Sequence, residues 1–324
     1  MLYHYTSFDA LDKILLHEPE KGKEICFRAT RYDCFEDQTE FQYGIDRTKE
    51  LMEEIEKEEF VQKYKLTPEH FIAKHFDSKI ILSNTDIPKP FVISLTNSPT
   101  SKKMWRKYGQ KGDGVVMEFD FNTEIIEWTM KVMGQSVARL DNCLYYTSKQ
   151  HEKIKNLLKE CYFECAYATA PMGLGYSDIW LEFIWATILC SFCARIKDGK
   201  EYSKEQETRI ILNIPGREWE NSFKKLAKIS KMDLESFYIS LRNHFNLNDK
   251  IPETLEGMLE FIRDIKSYHK ENREIFFKEF FLPIASLKSI WVKKRDIKTV
   301  QNLLKERGYN IPVNKVKSSF IGLL

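Results

Sequence analysis

The sequence predicts an α+β fold in which a central mixed β-sheet has flanking helices and a helical insertion. Residues 91–95 and 115–120 are short apolar or β-branched runs typical of strands, and a helical turn carrying Trp105 and a glycine turn join them. Residues 2–6 and 203–213 alternate apolar and polar side chains, as strands with one wet face do. Both patterns favour a sheet with one polar face.

The domain organisation follows from a change in composition late in the chain. Residues 216–281 are rich in Lys and Glu at helical spacing, which favours a helical insertion or lid. Residues 1–215 and 282–324 then form one α+β core domain. With 324 residues, of which 43% are hydrophobic and 13% aromatic, the chain is long enough to bury a sizeable core.

Charge and cysteine content exclude several classes of protein. Fifty basic and 48 acidic residues leave a formal charge of +2, which argues against a wide nonspecific grip on nucleic acid. Seven cysteines without a signal peptide favour reduced thiols and a cytoplasmic location. The longest apolar run, residues 179–194, is shorter than the roughly 20 residues that a bilayer requires, so no membrane segment is expected.

Three blocks of sequence resemble a bacterial family catalogued as domain of unknown function 2971. The central block comprises Ser94, Met104, Trp105, Tyr108, Gly114 and the strand ending in Glu118, Phe119 and Asp120. Residues 2–7, at the start of the chain, agree with the family in residue type and order. A late block that begins with Glu205, Glu207 and Arg209 agrees in the same way. Phe35, Glu36 and Asp37 stand where the family has an Asn-Asp-Pro-Phe-Glu-like turn, but the Asn and the Pro are absent. The family name carries no activity.

A second resemblance is to ADP-ribosyltransferases, which place a polar first strand and a late Glu-x-Glu strand on either side of a bound NAD. It implies a split sheet, NAD as substrate and no metal, with Glu207 as the catalytic glutamate and Glu205 on the acceptor side. His4 and Thr6 would hold NAD, and Thr30, Ser94 and Tyr108 compete for the middle element of the family's pattern. The further NAD-contacting candidates are Tyr5, Trp105, Arg106 and Arg209.

The chemical reason for this pattern is the positive charge that develops on ribose when the nicotinamide glycosidic bond breaks. A nearby carboxylate stabilises that charge, and aromatic faces hold nicotinamide. The prediction requires His4 and Glu207 to face one cleft. The Glu207→Gln substitution would then abolish turnover and leave thermal stability almost unchanged. The resemblance also implies a protein or nucleic-acid acceptor and a role as a toxin or phage-defence effector; the oligomeric state is open.

A basic cluster around Trp105 and the glycine turn is the second candidate site. Its cations suit a pyrophosphate or a nucleic-acid backbone, although the spacing favours a solvated helix face for most of the lysines, with Arg106 as the residue most suited to touch a ligand. The cluster consists of Lys102, Lys103, Arg106, Lys107 and Lys111.

Other interpretations of the same residues stay open. Glu207 and Arg209 can form an internal ion pair, and the chain would then be a noncatalytic nucleotide-binding or partner-binding module. Alternatively, Mg²⁺-dependent phosphodiester cleavage would use the carboxylates of Asp33, Glu36, Asp37, Glu118, Asp120, Glu205 and Glu207. The spacing of Cys161, Cys165, Cys190 and Cys193 would allow a four-thiolate zinc site. Their apolar surroundings favour core packing instead.

Overall fold

A computed structural model gives the structure of the protein. It describes residues 1–15, 24–58, 71–84, 87–121, 131–132, 135–136, 138–169, 185, 187–212, 214, 224, 227–228, 231–244 and 254–316.

Strands account for much of the described chain. In chain order they are β1 (Leu2–Thr6), β2 (Glu24–Arg31), β3 (Phe91–Thr96), β4 (Val115–Phe119), β5 (Lys131–Val132), β6 (Gln135–Ser136), β7 (Ala138–Asn142), β8 (Leu144–Tyr146), β9 (Ile196–Asp198), β10 (Glu207–Leu212), β11 (Lys266–Lys270), β12 (Arg273–Pro283), β13 (Leu287–Val292) and β14 (Val313–Lys315).

Helices lie between and after these strands. They are α1 (Phe8–Ile14), α2 (Gln38–Ile55), α3 (Ser78–Ser83), α4 (Lys102–Lys107), α5 (His151–Thr169), α6 (Gly199–Tyr202), α7 (Leu234–His244), α8 (Leu255–Arg263) and α9 (Ile297–Glu306). Leu189–Cys193 forms a turn of π-helix. Short 3₁₀ turns occupy Tyr32–Cys34, Ala73–His75, Gln110–Gly112, Ser203–Glu205, Ile284–Ser286 and Lys294–Asp296.

Most of the strands form one large mixed sheet with the order β11-β12-β2-β3-β1-β4-β13-β14. Strand β10 pairs with β3 and β7, and the parallel pair β13–β14 makes the otherwise antiparallel sheet mixed. Strands β5 and β6, and separately β8 and β9, form two small sheets. The predicted architecture of a mixed sheet with helices is therefore confirmed.

Strand β3 is the centre of this sheet, and its two edges differ. One edge pairs with β10 along its whole length, from Phe91 to Thr96. The other edge is divided, because β2 pairs at Phe91 and Val92 whereas β1 pairs at Thr96. Three chain segments that are far apart in sequence therefore meet on one strand.

Alternation along β3 and β10 gives the sheet two distinct faces. The apolar face carries Phe91, Ile93 and Leu95 of β3 with Ile210 and Leu212 of β10, and it belongs to the largest apolar core. Helices α1, α7, α8 and α9 contribute apolar side chains to the same core, including Leu11, Phe237, Leu259 and Val300. Burial of this apolar area is the main force that holds the helices on the sheet.

The charged face carries Ser94 and Thr96 of β3 with Glu207 and Arg209 of β10. Directly opposed residues of antiparallel strands point to the same face, and Thr96 opposes both Glu207 and Tyr3. Tyr3 and Tyr5 of β1 therefore share the charged face. His4 and Thr6, as alternate residues of β1, lie on the apolar face.

Helix α2 covers the charged face. It begins after Asp37, whose side chain accepts the N–H of Thr39 as an N-terminal cap. At Gly44 it approaches the π-helix so closely that an added Cβ would lie 2.1 Å from the carbonyl oxygen of Cys193. Glycine is required there because no larger residue fits the gap. This close packing brings Glu40, in the first turn, to the sheet.

The region predicted to be a helical insertion, residues 216–281, is only partly helical. Helices α7 and α8 confirm its helical patterns, but residues 266–270 and 273–283 form the hairpin β11–β12 at the edge of the large sheet. Lys, Phe and Glu side chains alternate along the hairpin. This pattern also suits paired strands, which the prediction of a helical insertion did not take into account. The division into domains at residues 215 and 282 stays a prediction.

Membrane crossing was tested on the helices that the structure describes. In that part of the chain no helix combines the length and the apolar character needed to span a bilayer. Part of the apolar run 179–194 lies outside the described residues, and its remainder includes the π-helix, where Leu189, Cys190 and Phe192 are buried.

Candidate functional site

Five charged side chains form a buried charge network on the charged face of the sheet. They are between 1% and 6% exposed, which is unusual because ionised groups are costly to remove from water. The network consists of Glu40, Lys197, Glu205, Glu207 and Arg209.

Four different elements supply these side chains. Glu207 and Arg209 are alternate residues of β10 and share its charged face, as predicted. Lys197 comes from β9, and Glu40 from the first turn of α2. Glu205 arrives from the 3₁₀ turn before β10, because Gln206 adopts a left-handed φ of 46° that redirects the chain.

Arg209 is the cation that joins the sheet to α2. Its Nε lies 2.6 Å from Oε1 of Glu207, its Nη2 donates to Glu40, and its Nη1 donates to the carbonyl oxygen of Ala194 at 2.6 Å. The guanidinium lies over the ring of Tyr32, 4.6 Å from the centroid. Several charge-assisted hydrogen bonds and an aromatic face therefore compensate the guanidinium for its lost hydration.

Lys197 is the second buried cation, and three carboxylates surround its ammonium group. Its Nζ lies 2.5 Å from Glu207 Oε2, 2.8 Å from Glu205 Oε2 and 3.3 Å from Glu40 Oε2. Burial by itself would lower the pKa of Lys197, but the surrounding carboxylates, Glu207 foremost, raise it well above the usual range. The ammonium group stays charged.

Glu207 is locked in place, contrary to the prediction of a carboxylate on a wet strand face. Burial alone would raise its pKa, but Arg209 and Lys197 outweigh burial and lower the pKa to about 2. Its main-chain N–H also donates to Oη of Tyr145 at 2.6 Å. Both carboxylate oxygens of Glu207 are held by buried cations.

His4 lies on the opposite face of the sheet from Glu207, so the predicted pairing of these two residues around one NAD is wrong. The His4 ring packs edge-on against Phe27, with centroids 5.1 Å apart, and its Nδ1 lies 3.0 Å from the carbonyl oxygen of Ser94. Burial lowers the pKa of His4, which favours the neutral ring. Thr6 shares this face and is buried too. Strand alternation on β1 is the physical cause.

Glu205 is itself buried, but it is the network carboxylate that pairs with cations at the surface. Its Oε1 lies 3.4 Å from Nζ of Lys103 and 3.5 Å from Nζ of Lys107, and the two lysine side chains are 38% and 42% exposed. We call Lys103 and Lys107 the lysine rim. Both ammonium groups also lie within 6 Å of the Tyr202 ring centroid. Glu205 therefore links the buried network to two cations at the surface.

The lysine rim also balances the charge of the network. Three carboxylates face two buried cations, which leaves one excess negative charge under the rim. Helix α4 holds the rim in place, because Trp105 on its other side is fully buried and packs edge-on against Tyr5. The lysines of this face are exposed or partly exposed, as predicted for most of them, and Lys103 and Lys107 in addition pair with Glu205.

The remaining predicted residues are distributed around this site. Tyr108, which is 41% exposed, follows the rim and has Nζ of Lys107 4.9 Å from its ring centroid. Tyr5 is buried and donates to the carbonyl oxygen of Ser98 at 2.8 Å. Thr30 and Ser94 point to the charged face but away from its Glu205 end, and Arg106 is exposed to solvent.

Four members of the site were missed by the sequence analysis: Glu40, Lys197, Tyr32 and Tyr202. Lys197 had a weak signal, because it follows the mostly apolar residues 188–194 and adjoins Ile196, where a lysine can be buried if it has a partner. Glu40 had none, since a glutamate in the first turn of a helix is ordinarily a surface residue. Their long-range pairing appears only once the chain is folded.

Of the carboxylates proposed for a Mg²⁺ site, Glu205 and Glu207 meet, but at the ammonium group of Lys197. Glu118 accepts hydrogen bonds from Tyr3 at 3.1 Å and from the Trp291 indole at 3.2 Å, three strands away from Glu207. Asp33 pairs with Arg31, and Glu36 with Lys270. Among the described residues no group of three or more potential ligands is placed to hold a metal ion, and the cysteines there are free thiols.

Comparison with known proteins supports the first resemblance. A family model described as a protein of unknown function (DUF2971) matches residues 104–210, a stretch that carries the lysine rim residue Lys107 and four of the five network residues. No curated protein matches the chain, and no solved structure does. The resemblance to ADP-ribosyltransferases therefore stays a prediction.

Proposed function

We propose that the protein binds NAD on the charged face, over Glu205 and the lysine rim, and transfers ADP-ribose to an acceptor or hydrolyses NAD. One observation carries this proposal. The carboxylate of Glu205 is held through Oε2 by the buried Lys197 at 2.8 Å, whereas the cations at its Oε1 are the half-exposed Lys103 and Lys107. A ligand that draws the lysines away uncovers a carboxylate that is already in position.

A dinucleotide carries the negative charge needed to draw the two lysines away from Glu205. Its pyrophosphate offers oxygens that bind ammonium groups more strongly than one shared carboxylate oxygen does. Lys103 and Lys107 would turn to the pyrophosphate, and the excess negative charge of the network would then face the ribose. The exposed ring of Tyr108 lies beside the rim and provides an aromatic surface for nicotinamide.

Glu205 takes the chemical role in this arrangement. As the bond between ribose C1′ and the nicotinamide nitrogen breaks, nicotinamide leaves with the electron pair and positive charge develops on the ribose. The carboxylate of Glu205 stabilises that charge. A hydroxyl of the acceptor, or water, then attacks C1′ and passes its proton to Glu205. Glu207 and Arg209 act from below as positioning residues.

Support for NAD in particular comes from sequence resemblance and from one feature of the sheet. The Glu-x-Glu-x-Arg strand and the polar first strand resemble those of ADP-ribosyltransferases, and the divided edge of β3 is compatible with a split sheet. His4 and Thr6 are left out of the site because they lie on the apolar face. A macromolecular acceptor and a role as a cytoplasmic toxin or phage-defence effector belong to the same proposal.

A noncatalytic function is the second candidate, and the locked state of Glu207 favours it. The two buried cations of the network are already neutralised by its carboxylates. Such a network can act as a rigid base beneath an anion-binding site as well as part of an enzyme active site. The chain would then bind a nucleotide at the lysine rim without turning it over. Measurements of binding and of turnover on the same protein separate the two candidates.

The test combines ligand-dependent melting with an assay for nicotinamide release. We expect NAD to raise the melting temperature, because a ligand that binds only the folded state stabilises it. The Lys107→Met variant is expected to weaken NAD binding by about tenfold, the loss of one charge-assisted contact. Lys111→Met, which removes an exposed lysine from the neighbouring turn, is its control.

Turnover is tested on Glu205. The Glu205→Gln variant is expected to bind NAD and to release nicotinamide at least 100-fold more slowly, because its side chain no longer carries the stabilising charge. Glu201→Gln, an exposed residue of α6, is the control. Binding of NAD and ADP-ribose without nicotinamide release would support the noncatalytic candidate. A protein stabilised by Mg²⁺ but not by NAD would refute the proposal.

A further inference from the structure

A second group of reactive side chains lies away from the charge network, where α2, β8 and α5 meet. The Oη atom of Tyr146, the last residue of β8, lies 2.6 Å from Nδ1 of His151. Nε2 of His151, the first residue of α5, lies 2.9 Å from Oε2 of Glu54. A phenol, an imidazole and a carboxylate therefore form one hydrogen-bonded chain across three elements.

The direction of these hydrogen bonds follows from the chemistry of the groups. An ionised carboxylate only accepts, so Nε2 of His151 carries a proton and donates it to Glu54. In the neutral ring Nδ1 is then an acceptor, and the phenol of Tyr146 donates to it. A hydroxyl next to a base that a third group orients is the general arrangement of an activated nucleophile.

This chain of side chains is both rigid and accessible. The His151 side chain is 24% exposed and that of Glu54 is 43% exposed, and Tyr146 is partly exposed. The guanidinium of Arg47 covers one side of the Tyr146 ring, 4.5 Å from its centroid, and Lys155 lies 3.4 Å from Glu54. All three side chains are therefore at least partly exposed, and the hydrogen bond to His151 and the contact with Arg47 orient the phenol.

The surrounding charges favour an uncharged reaction partner. Four carboxylates pair with three cations in this area, so its local balance is negative and disfavours an incoming phosphate. The carboxylates belong to Glu50, Glu54, Glu58 and Glu152, and the cations to Arg47, Lys155 and Lys159.

We propose that Tyr146 is a nucleophile for acyl transfer, with His151 as its general base and Glu54 as the group that orients the base. The phenolic oxygen attacks the carbonyl carbon of a neutral ester while its proton moves to Nδ1 of His151. The ester C–O bond then breaks, and the departing oxygen leaves with the electron pair and takes the proton from His151. The product is an acyl ester on Tyr146.

This site is separate from the proposed NAD site. Tyr145 accepts the main-chain N–H of Glu207 and so faces the charge network. Adjacent strand residues point to opposite sides, which directs Tyr146 away from that network. The acyl-transfer proposal therefore does not depend on whether NAD binds.

The test uses p-nitrophenyl acetate and compares two tyrosines within the same protein. Tyr268, on the exposed edge strand β11, is 40% exposed and lies against Phe277, so it serves as a reference without an imidazole base in its contact. Acetylation of each tyrosine is followed by peptide mass spectrometry over time. We expect Tyr146 to react at least about tenfold faster than Tyr268, a modest share of what general-base catalysis supplies.

Two variants test the roles of the neighbouring groups. His151→Gln is expected to reduce acetylation of Tyr146 to the rate of Tyr268, and Glu54→Gln to reduce it partly. An unchanged rate at Tyr268 and an unchanged melting temperature show that the fold is intact. Equal rates for the two tyrosines in the unmodified protein would overturn the proposal, as would a Tyr146 rate that His151→Gln leaves unaltered. If His151→Gln does not fold, the wild-type ratio and Glu54→Gln decide.

Discussion

The two faces of strand β10 differ in chemistry but not in burial. All six residues of the strand are buried, although Ile210 and Leu212 face an apolar core and Glu207 and Arg209 face a charge network. The apolar face is stable because its side chains leave water. On the charged face Ile211 packs into a second apolar core with residues of α2, and the ions beside it are stable because each has partners within hydrogen-bonding distance.

This comparison shows what strand alternation does and does not reveal. Alternation correctly indicates which residues share a face, as it does for Glu207 with Arg209 and for Tyr3 with Tyr5. It does not indicate which face is wet. Here α2 and β9 cover the face that looked exposed, and they bring Glu40 and Lys197 with them. A polar face can therefore be a second interior.

The largest effect is expected from removing a charge on the covered face. Glu207→Gln removes one of the two carboxylates that Arg209 and Lys197 share, the other being Glu40, and we expect it to lower the free energy of unfolding by about 3 kcal/mol, the usual cost of breaking a buried ion pair. Urea unfolding at neutral pH measures this. The result would reverse the sequence-based expectation that the substitution leaves stability unchanged.

The pH dependence of stability below neutral pH tests the same prediction independently. The folded pKa of Glu207 is lowered to about 2, so its stabilisation is complete above the unfolded pKa near 4.5 and is lost as the pH falls toward 2. Glu207→Gln should lack this part of the acid dependence. Glu36→Gln, at a surface pair with Lys270, is the control and should cost less than about 1 kcal/mol. Equal losses for both variants would mean that burial of the network contributes little.

A smaller effect is expected from disturbing the element that covers the charged face. Gly44→Ala places a methyl group 2.1 Å from the carbonyl oxygen of Cys193, so α2 must move away from the π-helix. We expect a loss of about 1–3 kcal/mol, typical of overpacking, despite the better helix propensity of alanine. Denaturant unfolding measures it, with the exposed Gln42→Ala in the same helix as control. A stabilised Gly44→Ala protein would show that α2 packs more loosely than described.

The smallest effect is expected on the apolar face, at His4. Burial lowers its folded pKa, so the unfolded state takes up the proton more readily and stability falls as the pH drops below about 6.5. His4→Leu should flatten this part of the pH dependence, which melting temperatures between pH 7.5 and 5.5 would show. It should leave NAD binding unaltered. The substitution His269→Leu, at an exposed histidine, is the control. Reduced NAD affinity in His4→Leu would show that His4 does belong to the NAD site.

Much of the fold could be predicted because local signals were strong. Residues 91–95 and 115–120 became β3 and β4, and the helical turn at Trp105 became α4. The hairpin β11–β12 was missed because its lysines and glutamates suit an exposed strand as well as a helix. In such segments tertiary pairing, rather than propensity, decides the structure.

The candidate site was predictable only in part, and the reason is geometric. Glu205, Glu207 and Arg209 lie within five residues of one another, so their proximity followed from sequence. The contacts of Glu205 with Lys107 and of Arg209 with Glu40 span 98 and 169 residues, and no local pattern encodes such pairs. The error at His4 came from assuming a relative register for two strands that are joined only through β3.

The sequence by itself determined the mixed sheet, which residues within β1 and within β10 share a side, and the presence of a cationic turn after β3. Only the tertiary structure decided that Lys197 and Glu40 reach Glu207, that His4 is on the far side of the sheet and that Glu205 lies under two lysines. The physical reason is range: backbone alternation and helical periodicity act over a few residues, whereas charge pairing and packing are set by whichever distant segments the fold brings into contact.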